Sequence, residues 1–524
     1  MSPMNAEQYP KTANEPKVHP LIRKSFVFVP SAGMRLAPEI LVMEFMREVF
    51  FESHFGDTVG TRGLDADDLD EERRHCFSDR ERAVLHALRG RRKKSKNSAA
   101  QRFFAPAYPQ LAKRGWLGKN RERVVNNFLL CGPIAQHLWH RGMGTEDGKR
   151  RQQELVEKIW RALVGNNSCL GKDLEGKDFL AATLGPASFD SNVELATRNL
   201  QEKTSQCDSV IRLDNDELSN RITQDLVAIC DLEVELPRMQ WLHLLMTFLR
   251  FALPMWLLAQ MQVTRLLYAW LLDAVDRGRI ADANAVLCGL ATRNRGLLHP
   301  TLTPTRELFE HIEQYMKCRV EMDILLYCLE EVRMDQIGGR TLSLGGGGRD
   351  VMGIDQLLTL ARDAARDIRE TQRFKHVAEG LDVQTFLVRE GEQFSAWRNP
   401  LMRGQGKNID EFFRVLYRAE LGDEAGGYLL VPEGRGANRG FRVFPGQLLL
   451  KTVTYLAAQG KWSRRRGGAG KLVLQDVEDH FGQYGTDFST AADARPLLMK
   501  ELQAMGLLTG SPDAGSSVAV ACPY

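Results

Sequence analysis

Three groupings in this chain hold residue types capable of catalysis or metal binding. Cys131, His137 and His140 form the first. The two histidines are three apart and fall on one face of a helix. Thiolate and imidazole are zinc ligands, but a closed site needs four. No fourth ligand stands at a recognised spacing, and Leu138 and Trp139 lie between the histidines. Packing or surface histidines explain the pattern better. Glu175 and Lys177 are spaced as in some nuclease cores. Those cores place the pair on an apolar strand, whereas here it sits in a Gly-, Asn- and Asp-rich stretch from 165 to 185. Residues 65–72 read DADDLDEE, a solvated loop or helix start without metal-loop spacing. Two glycine-rich runs also fail as phosphate loops, which need G-x-x-x-x-G-K-[ST]. Residues 338–353 read GGRTLSLGGGGRDVMG, with Arg349 and Asp350 after the glycines. At 467–471, Arg465 occupies the first glycine position and Leu472 replaces the hydroxyl residue. No nucleotide triphosphate site of that type, no metal site and no cofactor are expected. A nuclease-type enzyme with an unrecognised site stays open as an alternative.

Charge is more informative where it clusters. The net charge is only +3 over 524 residues. Residues 89–123 nevertheless hold twelve lysines and arginines against one acid, Glu122. Among them Arg91, Arg92, Lys93, Lys94, Lys96, Arg102, Lys113 and Arg114 are candidate phosphate contacts. Such groups bind by releasing counterions, so binding falls with salt. Phe103, Phe104, Tyr108 and Trp116 are interleaved and could stack on unpaired bases. A solvated basic loop followed by core aromatics is the plainer reading. A second cluster comprises Lys461, Arg464, Arg465, Arg466 and Lys471.

The elements that must carry these groups read as mainly helical. The stretch 239–278 is the most apolar and predicts a central helical hairpin broken at Pro254, because proline removes a donor and clashes with the preceding turn. A membrane span is disfavoured there, since Arg250 and Arg265 would lie in hydrocarbon. Helices are also expected over 152–164, after a polar break at 145–149, over 192–236, and over 306–334. Another is capped by Asp355 and runs to about 379, with a self-paired face including Arg362, Asp363 and Arg366. A short helix at 409–419 precedes a hairpin of 428–431 with 441–444. The expected organisation is a flexible arm at 1–24 and a mostly helical domain at 25–235. An apolar helical core at 236–337, a Gly-rich linker at 338–355 and a helical segment with a hairpin at 356–444 follow. A C-terminal domain occupies 445–524. Nine scattered cysteines without C-x-x-C pairs, and an N-terminus lacking an apolar run, point to a reduced, cytoplasmic setting.

The last eighty residues carry a family resemblance. Helices are predicted at 447–459 and 472–484. A third follows an Asp493 cap, with Pro496 in its first turn and Gly506 at its end. Then 507–509 and 518–521 read as two strands joined by GSPDAGSS. LLMKELQAMGLL followed by a small hairpin resembles the third helix and wing of winged helix-turn-helix domains. The resemblance implies a third helix that enters the DNA major groove, with Arg495 and Lys500 among its outward contacts. Many winged helices bind protein instead, and the wing here carries Asp513 and no basic residue. The whole chain, a helical body with a C-terminal winged helix, vaguely resembles accessory subunits of bacterial DNA-restriction and anti-phage operons. That resemblance implies a noncatalytic DNA-associated subunit working beside a separate ATPase, helicase or nuclease, in an antiviral complex. The alternative is a protein–protein adaptor without DNA contact.

Overall fold

The computed structural model describes residue 134 and residues 146–164, 217–280, 296–301, 303–332, 354–370, 409–418, 426–434, 440–464, 471–488, 494–509, 515 and 517–524. These are mainly helical. Their order is α1 (Glu146–Val164), α2 (Glu217–Asp231), α3 (Arg238–Arg277), α4 (Glu307–Val332) and α5 (Ile354–Glu370). Then come β1 (Leu430–Glu433), β2 (Gly440–Val443), α6 (Gln447–Arg464), α7 (Leu474–Gln483) and α8 (Ala494–Ala504).

Helix α3 is the organising element, and it corrects the expected hairpin. It runs unbroken for 40 residues with Pro254 inside it, a length of about 60 Å at the usual rise. The missing N–H at Pro254 deprives the Arg250 carbonyl of its donor, and an interior proline costs about 3 kcal/mol. Burial on both sides outweighs this. Trp241, Phe248, Phe251, Met255, Trp256 and Leu258 are all 2% exposed or less, and each such side chain contributes about 1.5–3 kcal/mol. The helix ends at Gly278, where φ is +66° and the glycine N–H donates to Ala274 O. Glycine adopts that left-handed turn without a Cβ penalty. By length and hydropathy α3 could cross a membrane, but 89% of its most apolar window is buried inside the fold.

The two halves of α3 serve two cores. Trp241 to Met261 join α2, the start of α4, the hairpin and the C-terminal helices in one cluster. Val263 to Val275 join Met322, Leu325 and Leu326 of α4 and the apolar face of α5 in another. The helix beyond the Gly-rich run thus packs back onto the apolar body. Its solvent face is self-paired as expected at Arg362–Asp363, 3.1 Å apart.

Other elements shift from expectation for local reasons. Helix α1 starts at Glu146, not at residue 152, because Asp147 in its first turn pairs with Arg150 and Arg151 across the supposed break. The 409–419 segment is an α turn over 409–413 followed by a 3-10 turn, Arg414–Leu416. The hairpin pairs β1 with β2 antiparallel, Leu430 facing Val443. Buried Arg250 reaches out of α3 and donates to the carbonyls of Val415 and Tyr417. The chain at Gly426 passes so close to Gly446 that a Cβ on Gly446 would lie 2.2 Å from Gly426 O.

After α6, residues 471–473 are extended and α7 begins at Leu474. Leu472, expected to open that helix, accepts instead from Val520 N (2.9 Å), while Leu474 N donates to Val518 O (2.9 Å). On its other side, 518–521 pairs with 507–509 through Thr509 N to Ala519 O and Ala521 N to Leu507 O. Along the chain the order is helix, extended segment, helix, helix and two further extended segments, the last of which is bridged antiparallel to the other two at single positions, Val473–Ala519 and Leu508–Val520.

Candidate functional site: the buried joint of α2 and α7

Helix α2 packs Leu218, Ile222, Leu226 and Ile229 inward at helical spacing. Asp225 lies on that apolar face, 3% exposed. A lone carboxylate there would be costly, and its partners come from α7 and the turn that ends it. His480 Nε2 donates to Asp225 Oδ2 at 2.9 Å, and Tyr484 OH donates to the same oxygen at 2.7 Å. Arg221, one turn before Asp225, places a guanidinium nitrogen 3.9 Å from Oδ1. His480 and Tyr484 are four apart, so one face of the chain presents both. Burial, then the Asp225 charge, holds the Tyr484 phenol well above its ordinary pKa, and it stays a donor.

Apolar packing surrounds this knot. Phe251 of α3 lies edge-on to Phe481 (5.8 Å) and against Tyr484 (4.9 Å). Tyr455 of α6 donates to Ala228 O, and Trp241 and Trp256 of α3 donate to Ile229 O and Ser219 Oγ. Helix α2 is therefore pinned on two sides by named bonds. The loop before α4 adds backbone ties: Leu297 N and Leu298 N both donate to Gly485 O, at 2.9 and 3.0 Å.

Chemically, the joint positions elements and does not process a substrate. Asp225 and His480 side chains are 5% and 2% exposed. A carboxylate and an imidazole closed off in this way cannot meet a reactant. Among the described residues, an accessible dyad lies elsewhere. His299 Nδ1 is 2.6 Å from Glu307 Oε1, and Glu307 Oε2 accepts from the His299 backbone N–H at 3.0 Å. One turn on, His311 Nε2 donates to Leu297 O and Nδ1 accepts from Arg265. Burial lowers the His311 pKa, which suits this neutral tautomer. Among the described residues no three His, Cys, Asp or Glu side chains are placed to hold a metal. The Cys230 thiol is pushed far up by burial and is no nucleophile.

The sequence-predicted contacts fall as follows. Arg495 is not a free outward cation. Its Nε and Nη2 each lie 2.6 Å from a different oxygen of Glu478, whose side chain is 1% exposed. The bidentate pair ties α8 to α7 and raises the Arg495 pKa through the Glu478 bond. Lys500 is exposed on the outer face of α8, beside Pro496, Gln503 and Ala504. Arg464 is the last residue of α6. Arg91, Arg92, Lys93, Lys94, Lys96, Arg102, Lys113, Arg114, Arg465 and Arg466 lie outside the described residues, as do Cys131, His137, His140, Glu175 and Lys177. The sequence reading missed Asp225, His480 and Glu478. The available signal was an acid on an apolar helical stripe, which in a folded chain demands a partner.

The chain matches no known protein-family model, no curated protein and no solved structure.

Proposed function

We propose that this chain is a noncatalytic subunit of a DNA-handling, antiviral complex in the cytoplasm, and that its C-terminal module is a winged helix used for protein contact. The observation that carries the reading is the Arg495–Glu478 pair. It ties up one of the two cations of α8 and leaves Lys500 as the other, with Pro496, Gln503 and Ala504 exposed beside it and Glu501 next in sequence. A major-groove reader needs several side chains that meet base edges and phosphates. A face of Pro496, Lys500, Gln503 and Ala504 suits a protein surface better. The single antiparallel bridges from 518–521 to Val473 and to Leu508, around α7 and α8, support the winged-helix assignment.

DNA phosphate contact belongs, in this reading, to the basic run 89–123 and the cluster at 461–471. The partners are DNA and protein subunits that supply ATPase, helicase or nuclease activity. The test compares double-stranded DNA affinity of the intact chain, of Lys500→Glu, and of a chain reversed at Arg91, Arg92, Lys93 and Lys94. The expected result is unchanged affinity for the first variant and a large loss for the second. A larger loss at Lys500 makes the module a DNA reader. No binding by the intact chain at low salt leaves the adaptor without DNA contact.

A further inference from the structure

The short stretch 296–301 holds the C-terminal module to the body from two directions. Toward the module, Leu297 N and Leu298 N donate to Gly485 O in the turn after α7, and Asp487 N donates to Leu298 O at 3.3 Å. Leu298 also bridges Thr486, and Leu297 and Leu298 are both buried. Toward the body, Leu297 O accepts from His311 Nε2 of α4 at 3.0 Å. His299 meets the two oxygens of Glu307 with its ring Nδ1 and its backbone N–H, at 2.6 and 3.0 Å. Leu297 therefore belongs to both contacts, through its N–H on one side and its carbonyl on the other.

His311 is the titratable group in this clamp, and its two ring nitrogens have opposite roles. A carbonyl oxygen only accepts, so Nε2 carries the proton. A guanidinium only donates, so Nδ1, 3.3 Å from Arg265 Nη1, is a bare acceptor. One neutral tautomer meets both partners, and no other protonation state does. Gln262 Oε1 holds the same Arg265 nitrogen at 2.9 Å. A proton on Nδ1 sets two donors and two positive charges face to face. Among the described residues, the charged groups around the ring are Arg265 of α3, Glu307 and Glu310 of α4, and His299 of the stretch itself, through Glu307. Both Glu307 oxygens are already engaged by His299. Burial outweighs the two acids and holds the His311 pKa below the ordinary 6.5. A ring released from this site returns to the ordinary range and takes up a proton in mild acid.

We propose that His311 is an acid-sensitive latch on the C-terminal module, whose protonation favours a locally opened state in which residues 297–298 leave Gly485. The coupling follows from linkage. An opened state that frees the ring binds a proton more readily than the closed state, so its population rises as pH falls. Such openings involve only part of a structure and precede global unfolding. The latch concerns how the module is seated and does not depend on what the module binds.

The experiment follows hydrogen–deuterium exchange of the full chain at about pH 7.5 and about pH 5.5, on either side of an ordinary imidazole pKa. Rates are corrected for the intrinsic pH dependence of amide exchange. The reporters are the amides of Leu297, Leu298 and Asp487, and Leu450 of α6 is the control. The opened population at the reporters should rise several-fold in acid, with a ceiling of about tenfold for one imidazole that titrates only when open. Leu450 should not follow. His311→Gln keeps a donor for Leu297 O and cannot titrate, and it should abolish the rise. His299→Gln should leave the rise in place. A ring titration of His311 in the parent chain, read by NMR, stands beside the variants and does not depend on their folding. A His311 pKa at or above 6.5 overturns the proposal. So does a rise that persists in His311→Gln or vanishes in His299→Gln. A ring that titrates while the reporters stay protected also overturns it, since Arg265 alone then moves aside.

Discussion

Asp225 and Tyr484 stand 259 residues apart in sequence and share a 2.7 Å hydrogen bond inside the fold. With His480 on the same carboxylate oxygen, the bond fixes the C-terminal module against α2. The module is therefore built into the body of the protein and is not an appendage on a linker.

Asp225→Ala should destabilise the fold strongly. It leaves a buried phenol and a buried imidazole N–H unpartnered, at about 1–3 kcal/mol each. Denaturant unfolding of Asp225→Ala, Tyr484→Phe and the double variant should show a loss well short of additive. Additive losses would mean that the two groups do not share one network. Alkaline unfolding reports the same bond. The folded Tyr484 pKa is raised, so its contribution is full below the ordinary value of 10.0 and is lost as pH rises above it. Tyr484→Phe should flatten that loss.

Arg495→Ala should cost on the order of 2 kcal/mol, less than a fully buried pair because the arginine is one-third exposed. The cause is the stranded Glu478 carboxylate. Arg495→Lys should recover only part of it, since lysine cannot form the two-point contact. DNA affinity should not change in either variant, and a measurable fall would return Arg495 to the list of phosphate contacts.

Gly446→Ala should be among the most damaging single-methyl changes in the chain. The new Cβ would meet a backbone oxygen at 2.2 Å, which no side-chain rotation relieves. Overpacking typically costs about 1–3 kcal/mol, and rigid backbone puts this site at or above the upper end. Thermal unfolding of Gly446→Ala beside Gly278→Ala separates crowding from backbone preference. Nothing lies within 4 Å of a Cβ at Gly278, where only the left-handed φ is at stake.

Acid should loosen the α3–α4 contact through His311. Its folded pKa lies below the ordinary 6.5, so the unfolded chain takes up a proton first. Stability from this site is full above about pH 6.5 and falls as pH drops below it. His311→Gln keeps a donor for Leu297 O and should remove that part of the slope. A slope unchanged in the variant would assign the titration elsewhere.

The helices, their faces and the hairpin were legible in sequence because periodicity and turn residues report burial directly. Leu308, Ile312 and Met316 point inward in α4 as their spacing predicts. Pro254 misled because local propensity favours a break, while tertiary burial on both sides decides for one helix. The extended segment 471–473 was hidden in a stretch that reads as helix. Leu472 and Val473 are apolar in either state, and their partner lies nearly fifty residues on. Asp225 and His480 were invisible as a pair because no spacing rule connects two helices so far apart in sequence.

The salt titration of DNA binding tests the central claim most directly. Each phosphate contact on duplex DNA contributes about −0.9 to the slope of log K against log salt. Reversing Arg91, Arg92, Lys93 and Lys94 should make the slope shallower by several such steps, uniformly across DNA sequences, while Lys500→Glu leaves it unchanged. A slope that stays steep in the first variant and drops in the second would contradict the account. It would place the DNA on α8 and not on the basic run.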